Sequence, residues 1–556
     1  MNPKQIKMLS IAVTLLVLIF GLIYFVTNNN NAKVTNSKSV VTTLKLHAKT
    51  TLPTTPATYL SSFGIKSNAI IKENSLKGTL SWEISSPNTT TAYIEGFANL
   101  NYASDGQTVE LYVSTTSPSY TVTAYRMGYY QGYGGRQIFT SALVPGQLQP
   151  QCPVDKSVNM VSCTNWTNPY KLTITSSFMQ GDYLLKLTAS SGQQSYIPIV
   201  IWNPNSHAAY LVVSRTLTEE GWNTYGGYSY YTGKGPCILS TSSYPPCNRA
   251  RIVSFDRPFA QGNGASDFLQ NEYPLVQYME KHGLDVAYVS DITLNDYPNI
   301  ALNHKVILSL GHDETWTTPE RQGVQTAINH GVNVIFFGAA AVLRHSRLQG
   351  SPFGPEREEV DYRNSSEDPL NGTGNPLEVT GNTFSSPPTS WSEVPLTGQV
   401  YSGYVILGKG TFPLVVTDPN SWLYSGTGLK MNQTVPNVIQ TDFDHFIPNS
   451  GAPSNIDILA HSPLPLSAVY TNQGKWNGYT YSDFTYYTNP TSQAGVIDTG
   501  TTNFIYSMGL CTVSTGCPTT PVRDMVKNML HLFGQGPTGL LEPSTGNWTT
   551  ITPSGS

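Results

Sequence analysis

The chain has 556 residues, 39% of them hydrophobic and 11% aromatic, and a net charge of -4; that length suits two or three domains with at least one large core. Only 12% of residues are charged, against about 25% in an average soluble domain, but the ordinary apolar content excludes disorder driven by charge. The weak negative charge, with no Lys/Arg cluster, disfavours a nucleic-acid partner, and 47 glycines and 38 prolines without a period exclude collagen and coiled coil.

Met8 to Val26 is an uncharged apolar run, close to the ~20 residues a membrane-spanning helix needs. Lys4 and Lys7 precede it, so residues 1–26 read as a single-pass anchor in the cell membrane with the body extracellular. A cleaved signal peptide is the alternative, and it too exports the body. The six cysteines form three local pairs, Cys152/Cys163, Cys237/Cys247 and Cys511/Cys517, as disulfides in an exported chain do. Sequons at Asn88, Asn165, Asn364, Asn371, Asn432 and Asn547 permit glycosylation.

Residues 27–76 are polar and weakly patterned, and read as a flexible stalk. Short alternating runs over residues 77–203, such as Val109–Val113, Tyr120–Tyr125 and Asp182–Leu187, predict an Ig-like β-sandwich. From residue 204 strands and helices alternate. Ala208–Val213, His304–Leu310 and Val332–Phe337 read as buried parallel strands; helices open at Pro274 and Thr318. This predicts a doubly wound α/β domain over 204–535, with its ligand crevice at the carboxyl ends of the strands. Residues 350 to about 500 are expected to add insertions and strands that cover this core. Thr520-Pro521 opens a last helix, and 536–556 reads as a disordered tail.

Gly311-His312-Asp313-Glu314 follows directly on a predicted buried strand, which puts an imidazole and two carboxylates where such a fold carries its site. A turn with capping acids and a structural histidine explains the same residues equally well. Trp222 to Tyr231 is a second cluster on the same predicted rim, either an aromatic wall or a source of phenol oxygens. Phosphate-binding loops, H-E-x-x-H and G-x-S-x-G are absent.

The stretches Tyr125–Tyr130 with Gly134-Gly135-Arg136, Tyr225–Tyr231, Ser254–Pro258, Glu272–Leu275, Gly311–Glu314 and Phe336–Ala339 resemble the C-terminal domain of the N,N-dimethylformamidase large (beta) subunit-like family. The likeness runs over about residues 90 to 535. It implies a class I glutamine amidotransferase-like fold and an amidohydrolase with one iron held by two tyrosines and a glutamate. Carried over, the glutamate is Glu314, the substrate-facing histidine His312 and one tyrosine Tyr231. Trp222 stands where the second tyrosine aligns, with Tyr225 as the nearby substitute. Asp442 aligns loosely with a proton-carrying glutamate. Such oxygen ligands suit Fe(III). Ala340 occupies the nucleophile-elbow position, so cysteine-type amidotransferase chemistry is excluded there.

Two functions follow. One is an exported hydrolase of small amides with a mononuclear iron site. The other is a catalytically degenerate surface protein that binds a glycan or a protein partner, for which exposed tyrosines are suited. Oligomeric state stays open. Arg126 and Arg136 are expected to pair with acids at a domain junction, and Asp256 with Arg257 to form an ion pair fixing a loop.

Overall fold

Alternation places Val109, Leu111 and Val113 on one face of a strand, and the same spacing recurs at Tyr183, Leu185 and Leu187 and at Ile197, Ile199 and Ile201; all are buried in one apolar cluster. In the computed structural model, which describes residues 63–84, 93–237, 246–471 and 473–551, these runs are strands of two sheets that share this core. One sheet has the order β1 (Ile94–Ala98), β2 (Thr108–Thr115) and β5 (Tyr170–Thr173). The other contains β3 (Ser119–Met127), β4 (Gly135–Thr140), β6 (Gly181–Ala189) and β7 (Gln194–Ile201), in the order β7-β6-β3-β4.

A seven-stranded sheet follows. Its strands are β8 (Tyr210–Ser214), β9 (Val286–Ser290), β10 (Val306–Gly311), β11 (Asn333–Gly338), β14 (Asp457–Pro465), β16 (Tyr479–Thr488) and β17 (Gly495–Asp498). The order is β9-β8-β10-β11-β17-β16-β14. The five strands from β9 to β17 are parallel, and β16 and β14 are antiparallel additions. Both faces are apolar because the sheet is covered on both sides. In β8, Tyr210 and Val212 join one core cluster and Leu211 and Val213 the other. Helices α1 (Thr216–Trp222), α2 (Tyr273–Lys281), α3 (Asp291–Asp296), α4 (Thr318–Asn329) and α5 (Pro521–Phe533) connect and flank these strands. Helix α4 starts at a reciprocal capping box of Thr317 and Glu320, and α5 at the Thr520 cap followed by Pro521.

The expected mixture of β and α/β structure is therefore present. Residues 350–500 do more than cover the core, since β14, β16 and β17 extend the central sheet itself. A further small sheet places β13 (Asp442–His445), β12 (Val400–Val405) and β15 (Val469–Thr471) side by side. Asn68–Asn74, in a stretch without periodic signal, is a helix, and Ser67 N–H donates to Gly283 O at 2.9 Å. Beyond residue 536, the backbone N–H groups of Thr545, Gly546 and Asn547 donate to Asp457. The run Met8–Val26, residues 27–62, the Asn88 sequon and residues 552–556 lie outside the described residues. Among the described residues no helix is long and apolar enough to cross a membrane.

All three expected disulfides are formed: Cys152–Cys163, Cys237–Cys247 and Cys511–Cys517. Arg126 makes a buried bidentate pair with Glu280 at 2.7 and 3.0 Å, and Arg136 pairs with Glu73. Asp256 and Arg257 are not each other's partners. Asp256 binds Arg357 at 2.8 Å, and Arg257 binds Glu220 at 2.5 Å. Successive residues of an extended segment point to opposite sides, so adjacent opposite charges on one chain seldom meet.

Candidate active site

The chain order of the parallel sheet reverses between β8 and β10, and a crevice opens beyond the carboxyl ends of such neighbours. Strand β10 ends at Gly311, whose φ of 56° favours glycine. A Cβ there would meet Asn271 O at 2.7 Å, and one on the adjacent Gly338 would meet Gly311 O at 1.5 Å. The two strand ends thus approach closely and turn the next three residues onto the rim.

These three residues divide. Asp313 turns inward, is fully buried and accepts from Ser309 Oγ at 2.7 Å. His312 and Glu314 face the crevice. Glu314 Oε1 accepts from Arg344 Nε at 3.0 Å. Its Oε2 accepts from Trp222 Nε1 at 3.2 Å and from the Tyr231 hydroxyl. His312 Nε2 stands 3.5 Å from Glu314 Oε2 and 3.6 Å from Asp442 Oδ2. Asp442 Oδ1 in turn accepts from the Tyr401 hydroxyl at 2.9 Å. An arc of Tyr231, Glu314, His312, Asp442 and Tyr401 results.

Burial would raise the Glu314 carboxyl, but the Arg344 guanidinium, His312, Arg363 and the Tyr231 hydroxyl bring it down to about 2. Burial pushes the Tyr231 phenol well above its ordinary value, with Arg363 opposing and Glu314 adding to the shift. Burial also raises the Asp442 carboxyl; His312 and the Tyr401 hydroxyl oppose this, while the Glu314 charge adds to it. One carboxylate is thereby held ionised beside another whose proton affinity is increased.

The sequence-predicted residues Glu314, His312, Tyr231 and Asp442 converge here. Tyr225 does not. Its hydroxyl donates to Glu95 of β1 at 2.7 Å, and its ring packs in the cluster around the Cys152–Cys163 pair. Its loop is held by Arg257, which donates to the carbonyls of Tyr225 and Tyr228. Ala340 has a φ of 59° and donates its N–H to Asp444, so that corner offers a methyl group and no nucleophile. Sequence reasoning missed Tyr401, Arg344 and Arg363. Tyr401 carried no motif; its place depends on the pairing of β12 with β13.

Among the described residues, no group of three or more His, Cys, Asp or Glu side chains could hold a metal ion. A cation at this crevice would therefore have to be held partly by phenol oxygens. The donor set fits that requirement. Tyr231, Tyr401 and Glu314 line one cleft of about 310 Å³ with Asp442, Arg344 and Trp222, and phenol and carboxylate oxygens are the ligand type that suits Fe(III).

A family model described as "N,N-dimethylformamidase beta subunit-like, C-terminal" matches residues 121–518, well over half of the chain. No curated protein matches it.

Proposed function

The chain belongs to the N,N-dimethylformamidase beta subunit-like, C-terminal family, and from that premise we propose that the Glu314 cleft hydrolyses a carbon–nitrogen amide bond. The observation that carries this reading is the convergence of Glu314, Tyr231, His312 and Asp442 on one crevice at the strand-order reversal. Hydrolysis puts a water oxygen on the carbonyl carbon, breaks the C–N bond and delivers a proton to the departing nitrogen. His312 and Asp442 are the groups placed to move that proton. The imidazole lies beyond hydrogen-bond range of both carboxylates, which leaves Nε2 free for water or the leaving nitrogen. Asp442, with its raised proton affinity, takes up the proton next to it. Arg344 holds the Glu314 carboxylate in place, and Trp222 closes one side of the cleft.

On the iron reading, the oxygens of Tyr231 and Glu314 would hold Fe(III), which when bound would polarise the amide carbonyl and acidify water. The test is metal analysis of the purified full chain beside Glu314→Ala, with turnover of N-alkylamides by both. About one iron per chain, lost in the variant together with turnover, is expected. Wild-type protein that hydrolyses amides without iron would remove the iron reading alone; wild-type protein inert towards amides when iron-loaded would remove the hydrolase.

The finer architecture belongs to the same proposal. The strand order β9-β8-β10-β11 supports an amidotransferase-like domain, and the shared core of the two N-terminal sheets supports an Ig-like sandwich. The three disulfides and the apolar run Met8–Val26 support an exported, membrane-anchored body.

A second reading rests on a different groove. Tyr102, Trp202 and Tyr297 line a shallow hollow of about 700 Å³ with Gln107, Asn299 and Asn303, and Tyr297 is half exposed. Aromatic faces beside planar amides suit a sugar ring. Affinity electrophoresis in gels containing soluble polysaccharide, wild type against Tyr297→Ala, tests it. Equal mobility of both in every gel would remove it.

A further inference from the structure

Tyr231, Glu314, Arg344, Tyr401 and Asp442 form the polar part of the cleft lining. Another part is the end of β12 and the turn after it: Tyr404, Val405, Ile406 and Leu407. This wall is apolar, and much of it faces water. Leu407 is 99% exposed and Ile406 and Tyr404 are each 38% exposed. Tyr404 stacks on Tyr470 of β15, ring centroids 5.3 Å apart, and Tyr470 is 52% exposed. Across the cleft Trp222 is 40% exposed. A contiguous exposed apolar lip on a soluble surface marks a place where something apolar is bound.

The lip is also held in position. Ile406 N–H donates to Ala468 O at 2.9 Å, and Lys409 N–H closes a turn onto Ile406 O at 3.0 Å. Gly408 and Gly410 both have positive φ, near 85° and 82°, with open space around them. The backbone that presents Ile406 and Leu407 is thus a hydrogen-bonded turn with glycines at 408 and 410, and among the described residues none covers Leu407.

We propose that the cleft takes amides bearing an extended apolar substituent, an alkyl or aryl group of several carbons, which lies on Ile406, Leu407 and Tyr404 while the amide group reaches the polar part. This rests on the reading of the cleft as an amide-hydrolysing site. The cleft is polar at the reacting end and apolar at the mouth, as a site for such a molecule must be. Each methylene laid on the wall contributes up to about fourfold in affinity, until the substituent passes the rim.

The experiment is a series of N-alkylacetamides from N-methyl to N-octyl, given to the full chain and to Ile406→Ser/Leu407→Ser. Both substituted positions are exposed, so the variant keeps the fold, which circular dichroism checks. Expected for wild type is a rise in kcat/KM of about two- to fourfold per methylene over the first several carbons. In the variant the slope falls below about 1.5-fold per methylene. Binding of the same amides is measured calorimetrically in parallel. Hydrolysis with no dependence on chain length overturns this inference and leaves the hydrolase standing. Binding that strengthens with chain length and is flattened in the variant, without turnover by the iron-loaded chain, supports the apolar wall and removes the hydrolase. Binding indifferent to chain length in wild type overturns the inference, and so does the same slope in both proteins, which would leave the lip to a macromolecular partner.

Discussion

Trp222 lies flat on Tyr231, with ring centroids 3.5 Å apart and planes within 14°, and its indole N–H points at the same Glu314 oxygen that accepts from the Tyr231 hydroxyl. An N–H can share that oxygen but cannot ligate a cation. Trp222→Tyr puts a phenol on this face of the crevice, and Trp222→Phe removes the donor while keeping a ring on Tyr231. On the iron reading, the tyrosine variant binds Fe(III) roughly tenfold more tightly, and the phenylalanine variant stays within about threefold of wild type. Titration with Fe(III), followed by the phenolate-to-iron absorption in the visible, measures both. A tyrosine variant no tighter than wild type would place the ion away from Trp222.

Glu314 also carries stability. Its carboxylate sits between Arg344 at 3.0 Å and the Tyr231 hydroxyl, with Arg363 over the Tyr231 ring at 3.9 Å. Glu314→Gln leaves buried guanidinium charge without its counter-charge, at a cost of about 3 kcal/mol, read from the urea midpoint at pH 7. The pH dependence has a fixed sign. The folded carboxyl is depressed to about 2, so its contribution is complete above the unfolded value of about 4.3 and is lost as pH falls towards 2. Wild type and Glu314→Gln therefore converge in stability on acidification.

The core of the central sheet was legible because burial on both faces removes alternation: in β11, Val334 and Phe336 enter one cluster while Ile335 and Phe337 enter the other, and the run Val334–Phe337 shows only that all four are apolar. The start at Thr520 was legible because the cap and its partner lie within one turn; the other helix was expected to open at Thr318, and its cap is the residue before, Thr317. The disulfides, which close short loops, were legible too. What escaped depends on pairing across long separations. Tyr401 reaches Asp442 only because β12 pairs with β13, with a bulge between Tyr401 and Gly403. Arg344 meets Glu314 through the parallel pairing of Thr315–Thr317 with Arg344–Ser346. The partner of Asp256 is Arg357, 101 residues away, and that of Arg257 is Glu220, 37 residues away, and no adjacent-charge rule finds them. Tyr225 and Tyr231 are indistinguishable by type, and only the turn through Gly226 and Gly227 sends one to Glu95 and the other to Glu314.

Asp313, fully buried behind the crevice, predicts the opposite pH response to that of Glu314. Burial pushes its carboxyl up to about 6, with the Ser309 hydrogen bond opposing, and among the described residues Oδ1 has no hydrogen-bond partner. The charged form is therefore disfavoured in the fold. The stability it contributes is complete below the unfolded value of about 3.9 and is lost as pH rises through about 6. Asp313→Asn keeps the shape and removes the titration. Urea midpoints measured from pH 4 to pH 8 are expected to fall less steeply in the variant, with a gain of about 3 kcal/mol over wild type at pH 8. Parallel curves would mean that the folded protein supplies the ionised Asp313 with a partner.

Asp442 sets the acid limb of the pH profile if it is the group that takes up the proton. Its carboxyl is raised by burial and by the Glu314 charge, and is pulled down by His312 and by the hydrogen bond from Tyr401. It accepts a proton only when ionised, so kcat/KM rises with pH through its elevated pKa and flattens above it. Removing the Tyr401 hydroxyl takes away a donor that favours the ionised form. Tyr401→Phe is therefore expected to move the acid limb to higher pH. Asp442→Asn is expected to abolish that limb and to lower the plateau about a hundredfold. Circular dichroism separates these effects from loss of fold. An acid limb that stays put in Tyr401→Phe and survives in Asp442→Asn would transfer the proton to His312 alone.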